Sequence, residues 1–498
     1  MLFNSIDFLL FLPVVLLIYY VIPQKVRYVW LLISSYYFYM CWNARYALLI
    51  LVSTIITYYS GIFLERVIKS DKTTQVVEQQ KKAIVAVSFI SNLGILFYFK
   101  YLNFATDLIF RLLSKCHITI ETPAFDILLP VGISFYTFQA LSYTMDVYRG
   151  EINAEKDFLR YALFVSFFPQ LVAGPIEKSK KLIAQLREPR QFESRYAFDG
   201  ILLMMWGFFL KIVIADRIAI FVDTVYGDCE NYKGAYAIVA TVLFAVQIYC
   251  DFAGYSTIAV GTAKLFGIEL TENFDAPYLS STVSEFWRRW HISLTSWFKD
   301  YLYIPLGGNR KGTARKYINK MIVFLVSGIW HGAQLTFVVW GGLNGLYQVV
   351  GELLMPLRNK LTTALRINKD SEGYKIISAM VTFALVAFAF IFFRAESIGQ
   401  AKYIIGSIIN ADNPWVLFDG SLYECGLDEK NFRLMLYAII ILFIADLLKR
   451  KGIKVREIVL RQDYWFKGIL VILGILVIMV LGKYGPAYDA ANFIYFQF

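Results

Sequence analysis

Twelve apolar stretches recur along the 498 residues, near 7–22, 29–42, 46–64, 83–99, 127–145, 158–175, 197–221, 234–262, 321–350, 376–395, 433–448 and 466–482. Several approach the roughly 20 residues a helix needs to cross a bilayer core of about 30 Å. Soluble domains cannot absorb so many, because the chain lacks the polar residues to cover them. Hydrophobic residues make up 58% and charged residues 17%, against about 45–50% and about 25% in soluble domains. The same figures exclude a disordered chain, a collagen-like repeat and a small disulfide scaffold. The expected fold is an all-α polytopic membrane protein, a single integral membrane domain over 1–498. About ten to twelve transmembrane helices are expected, with re-entrant and interfacial helices beside them.

Orientation follows from the basic loops. The net charge of +11 is read as Lys/Arg excess on the cytoplasmic side. Lys25 and Arg27 mark that side, as do Arg66, Lys69, Lys72, Lys81 and Lys82. So do Arg310, Lys311, Arg315, Lys316 and Lys320, and later Lys449 to Arg456. The acidic segment with Asp412, Asp419, Glu424, Asp428 and Glu429 is placed outside. MLFNSIDF lacks a positive n-region and no A-x-A site follows, so the first apolar run is expected to stay as a helix. One segment resists the scheme. A simple crossing by 158–175 would put the basic stretch Lys178 to Arg195 outside, and Pro169, Gly174 and Pro175 interrupt it. It is therefore expected to be re-entrant or horizontal, which membranes tolerate only against protein or a watery cavity.

No basic region accompanies a soluble recognition fold, so no nucleic acid is expected as a partner. Five cysteines without a C-x-x-C pair argue against a zinc site or a disulfide framework, and Cys229 and Cys425, placed together on the outer face, leave a bridge between them as the alternative. No duplicated half supports a transporter. G-x-S-x-G and H-E-x-x-H are both absent. His117 falls in an extramembrane loop, and Asp146, Asp216 and Asp251 lie in or beside apolar runs, with Asp216 and Arg217 a candidate pair.

Two segments carry the chemistry. SEFWRRWHISLTSWFKDYLY, Ser284 to Tyr303, wound as one helix, puts Trp287, Trp290, Leu294, Trp297, Phe298 and Tyr301 on one face. Charged and polar residues fill the other, and His291 falls at the aromatic edge; such a helix is expected to lie along an interface. The loop IPLGGNRKG follows; it lacks the G-x-x-x-x-G-K-S/T spacing of a phosphate-binding loop, and Arg310 and Lys311 are read first as positive-inside charges, with contact to the phosphates of a cytosolic donor as the alternative. The second segment is SGIWHGAQ, Ser327 to Gln334. Thirty residues from Met321 to Val350 contain no Asp, Glu, Lys or Arg, and His331 is their only imidazole. At about 1.5 Å per helical residue from Lys320 it sits roughly 16 Å deep, where an ionisable group is a functional candidate. Burial disfavours its charged form, leaving a ring able to accept a proton from a hydroxyl. Gly328 and Gly332 leave room for a substrate to approach closely.

EFWRRWHISLTSWFKDYLYIPLGGNRKG, with SGIWHGA 40 positions after its histidine, resembles the membrane-bound O-acyltransferase (MBOAT) family, in the bacterial branch that includes the alginate O-acetylation protein. Collinear segments extend the resemblance over most of the chain: LPVGISFYTFQALSYTMDVYRG, FVSFFPQLVAGPIEKS, DFAGYSTIAVGTAKLFG, ENFDAPY and the terminal FIYFQF. Thr257 departs from it, standing where alginate-type members commonly have Asp. The resemblance implies a ring of tilted helices around a central tunnel, and a catalytic block in 284–350. It implies that His331 is the essential catalytic residue and that His291 lies across the same tunnel. Substrate contacts are expected of Asp300, Asn309, Arg310, Lys311 and Trp330. No cofactor or metal is expected to be held permanently. The donor is an acyl thioester, acetyl-CoA or an acyl-carrier protein. The acceptor is a hydroxyl at the outer side, on an exported polysaccharide or on an extracellular or periplasmic partner protein that passes the acyl group on. Transfer of D-alanyl or longer acyl groups, or a transporter or flippase, are the alternatives. The location implied is the bacterial cytoplasmic membrane, in contact with its lipid.

Overall fold

A computed structural model describes residues 1–71, 73–115, 129–484 and 494 of the chain. Lys72, Cys116, His117 and all of the terminal FIYFQF except Ile494 lie outside the described residues. Among the described residues the regular structure is helical throughout, and the chain is an all-α, multi-pass membrane protein. Seven helices among the described residues are long and apolar enough to cross a membrane: Ala44–Ile68, Thr74–Lys100, Ser194–Gly227, Ala235–Leu265, Glu372–Arg394, Glu429–Arg450 and Tyr464–Leu481. Ile6–Val21 is apolar but shorter. The exposed Ile472, Leu473, Met479 and Val480 on the last span give it the apolar outer face that marks a membrane-contacting surface. Of the other apolar stretches, 29–42 and 127–145 each correspond to one shorter helix, Arg27–Met40 and Ile133–Tyr148, while 321–350 is divided between Thr313–His331 and Leu335–Leu353.

The chain forms two compact units. The first comprises Met1–Ile201 and Ala259–Thr271. Its helices are joined by buried polar side chains, as membrane bundles commonly are. Ser53 Oγ meets Asn92 Oδ1 at 2.5 Å and Tyr161 donates to Thr57 Oγ1 at 2.7 Å. The 158–175 stretch is broken, as its prolines and glycine predict. Helix Phe158–Ser166 stops at Phe167, the one-turn helix Phe168–Leu171 follows, and 172–178 is irregular. The break is stabilised by side-chain amides: Gln139 and Gln170 both donate to the Phe164 carbonyl, at 2.6 and 3.0 Å. Asp146, buried nearby in sequence, accepts from the Ser179 hydroxyl.

The second unit comprises Leu202–Ile258 and Glu272–Phe498. Within Ser194–Gly227, residues Phe209–Ala215 widen into a π-helix, a local form often found at functional positions. Lys211 sits in it, fully buried, with its Nζ 2.8 Å from Asp216 Oδ1 and 2.6 Å from Asp251 Oδ1. The expected pairing of Asp216 with Arg217 is corrected. Adjacent residues on a helix point about 100° apart and do not face each other. Arg217 instead donates to the carbonyls of Val213 and Leu481, at 2.6 and 2.8 Å, and to Asn431 Oδ1.

The largest correction concerns 284–303. It is not one interfacial helix but two short ones, Val283–Arg289 and Ile292–Phe298, followed by the π-helical turn Lys299–Tyr303. Segment 273–275 pairs with the corner and takes over its backbone groups. Asp275 N–H donates to Arg289 O and Ile292 N–H donates to Asn273 O, both at 3.0 Å. The aromatic face is packed in protein. Trp290 lies against Phe274 and Phe286, and Trp287 against Phe324 and Trp340.

Candidate active site

Helix Thr313–His331 ends on the candidate histidine, Gly332 is extended, and Leu335–Leu353 returns alongside. Three glycines make this hairpin tight. A Cβ on Gly328 would collide with the Phe337 carbonyl, one on Gly341 with the Phe324 carbonyl, and one on Gly332 with the Phe337 ring. The room at Gly328 and Gly332 is therefore filled by the neighbouring helix rather than left for a substrate. Small residues let membrane helices approach this closely. His331, 4% exposed, is walled by aromatic edges. Trp330, Trp340 and Phe393 lie 4.9, 5.0 and 5.3 Å away between ring centroids, at 81°, 84° and 71°. Asn344, buried in the return helix, fixes this wall: it accepts from Trp287 Nε1 at 3.2 Å and donates to the Trp340 carbonyl at 2.9 Å.

His291 occupies the corner between the two short helices with φ of 44°. For a residue with a Cβ that left-handed conformation costs about 1–2 kcal/mol, and it persists only where surrounding contacts fix it. The ring is 1% exposed. Phe252 meets it at 4.6 Å and 79°, and Trp330 at 6.2 Å and 62°. Trp330 is thus a neighbour of both imidazoles. Arg289, beside the corner, is held by Asp275 Oδ2 at 2.7 Å and Glu285 Oε1 at 3.1 Å, and Arg450 reaches the same Glu285 oxygen at 2.8 Å. Burial works to raise the Glu285 carboxyl, but the Ser281 N–H and the two arginines outweigh it and hold it below the usual range.

The structure brings His291, Trp330 and His331 together. Asn309, Arg310 and Lys311 are exposed on the turn before Thr313, at the other end of the helix from His331. That helix is about 27 Å long at 1.5 Å per residue. Asp300 is half-buried in the π-helical turn Lys299–Tyr303 that leads into this loop. The loop is tied down by Asn319, fully buried, whose Nδ2 donates to the Gly308 carbonyl at 2.9 Å. Gly307 and Gly308 take the left-handed φ values the turn needs. Sequence reasoning missed Asn344, Asn273, Phe252 and Phe393. Only Asn344 had a signal, as a side-chain amide inside the charge-free stretch 321–350.

Residues 18–392 match the model of the MBOAT, membrane-bound O-acyltransferase, family. The probable alginate O-acetylase AlgI of Pseudomonas aeruginosa is 37% identical over 402 residues, covering 80% of this chain and 73% of the relative. The peptidoglycan O-acetyltransferase of Helicobacter pylori is 32% identical over 441 residues, 82% of this chain and 80% of the relative. A teichoic acid D-alanyltransferase of Bacillus subtilis is 27% identical over 278 residues, 53% of this chain and 69% of the relative.

Proposed function

Because the chain belongs to the membrane-bound O-acyltransferase family and is an O-acyltransferase, we propose that it moves an acetyl group from a cytosolic thioester to a hydroxyl at the outer side of the bacterial cytoplasmic membrane. The product is an O-acetylated exported or cell-surface polysaccharide. The donor is acetyl-CoA or an acetylated carrier protein, and the immediate acceptor is the polymer or a hydroxyl of an extracytoplasmic partner protein. Support for acetyl comes from the O-acetylase and O-acetyltransferase relatives, which match over four-fifths of this chain. The D-alanyltransferase matches over little more than half. The Thr257 hydroxyl turns back to its own helix, donating to Ala253 O at 2.6 Å, so the polymer need not be alginate.

The observation that carries the reading is the pair of enclosed histidines that share Trp330. In the proposed step His331 removes the proton as the acceptor oxygen attacks the thioester carbonyl. The C–O bond forms, the C–S bond breaks, and the proton returns from His331 to the leaving thiolate. General base catalysis contributes about 10²–10⁴-fold, and holding both reactants in one geometry adds more. His291 orients donor or acceptor. Arg310 and Lys311, on the exposed loop, meet donor phosphates. Asp300 and Asn309 shape that mouth, and Trp330 lies against the acyl group between the imidazoles. A tunnel open to both compartments is part of this proposal. Reconstituting the protein in vesicles with labelled acetyl thioester inside and hydroxyl acceptor outside tests it. Label must appear outside with wild type and not with His331→Ala; equal transfer by both ends the proposal.

A further inference from the structure

Asn273 spends its carbonyl and both polar atoms of its side chain on holding one corner in place. Its backbone O accepts from Ile292 N–H at 3.0 Å. Its Oδ1 accepts from Ser293 N–H at 3.1 Å. Its Nδ2 donates to Ser256 Oγ, also at 3.1 Å. Asn273 and Ser256 are both buried. The two N–H groups taken are the first after His291, at a helix start where no intrahelical acceptor exists. The residue clamped just before them has the left-handed φ of 44°, so the clamp acts where the chain would otherwise relax. Ser256 and Phe252 are one turn apart on helix Ala235–Leu265. One helix therefore anchors the corner through Ser256 and faces the imidazole with Phe252, 4.6 Å away.

We infer that Asn273 is a positioning residue for acyl transfer: it fixes the His291 backbone and so aims that imidazole toward Trp330. The inference rests on the proposed role of His291. Asn273→Asp keeps the carbonyl and an acceptor for Ser293 N–H, and the Ser256 hydroxyl can turn to donate to it. Asn273→Ala removes both side-chain contacts.

The test uses full-length detergent-purified protein with acetyl thioester as donor, and ¹⁵N-histidine labelling. The chain has only His117, His291 and His331, so three imidazole signals can be assigned from single His→Gln variants. For Asn273→Ala the expected result is a kcat loss of about 10–100-fold with donor KM within about twofold. The His291 ring signals move, and Asn273→Asp restores most of the rate. Unchanged kcat and unchanged His291 signals in Asn273→Ala overturn the inference, as does a loss that Asn273→Asp does not relieve. If Asn273→Ala does not fold, Ser256→Ala, which removes only the anchor, is read by the same signals and the same kcat criterion. Loss of transfer in His331→Ala with none in Asn273→Ala leaves the proposed function standing and removes this inference. Retained transfer in His331→Ala removes the proposed function, and the His291 signals still decide the positioning.

Discussion

The imidazole of His331 stands edge-on to the indole of Trp340, 5.0 Å away at 84°, across the turn at Gly332 that separates their helices. That relationship exists only because two backbones meet at Gly328 and Gly341. Purified His331→Ala is expected to stay folded and to lose acyl-thioester turnover by about 10²–10⁴-fold, the usual contribution of a general base. Turnover in detergent, with size-exclusion behaviour as the fold control, checks this.

Neighbouring glycines in the return helix should respond oppositely. Gly341→Ala drives a methyl into the Phe324 carbonyl, a backbone atom that cannot rotate away. It should lower the thermal midpoint and the transfer rate together. Gly342→Ala meets only Leu325 Cδ2 at 3.8 Å, ordinary contact, and gains up to about 1 kcal/mol of helix preference. Thermal melts of the two variants decide the matter. Equal destabilisation by both would contradict the hairpin packing.

Lys211 pairs with two buried carboxylates, so Lys211→Met leaves both without it and should be far worse than loss of either acid alone. Removing one partner of a buried charge network costs about 3–5 kcal/mol. Asp251→Asn keeps the Lys211–Asp216 contact of 2.8 Å and should cost clearly less. Yield of monodisperse protein and thermal midpoint rank the variants.

A pH-dependent stability difference is expected at Glu177, buried in the irregular segment 172–178. Burial pushes its carboxyl above the ordinary value, against the pull of Lys181 and of the Thr271 N–H it accepts. A carboxyl raised on folding contributes stability below its unfolded pKa, and that contribution is lost as pH rises through the folded pKa. Glu177→Gln, neutral throughout, should therefore be more stable than wild type at neutral pH. The gap should close below the ordinary glutamate value of about 4.3. Melts across pH measure it, and a gap that widens toward acid would reverse the sign.

His291→Gly and His291→Ala separate backbone from ring. Both lose the imidazole and should lose activity. Glycine adopts the φ of 44° freely, so the glycine variant should be more stable than the alanine one by about 1 kcal/mol. Paired melts test the left-handed corner directly.

The sequence by itself determined the solvent, the helical class and the candidate histidines. Those depend on residue type and local period: apolar runs of membrane length, Pro169 and Gly174 breaking one of them, and a lone imidazole in thirty residues without charge. Only the tertiary structure decided that 284–303 bends at His291, that Gly328 and Gly332 admit Phe337 rather than substrate, and that Asp216 pairs with Lys211. For the corner and the glycines the deciding atom comes from a returning loop or another helix, Asn273 and Phe337. Lys211 and Asp216 share one helix, whose π-helical turn brings residues five apart together, and Asp251 of another helix completes the network. Periodicity along one helix reports which side an atom faces. It carries no record of which distant backbone will occupy that side, because hydrogen bonds and close contacts between helices are satisfied by whichever element packing brings there.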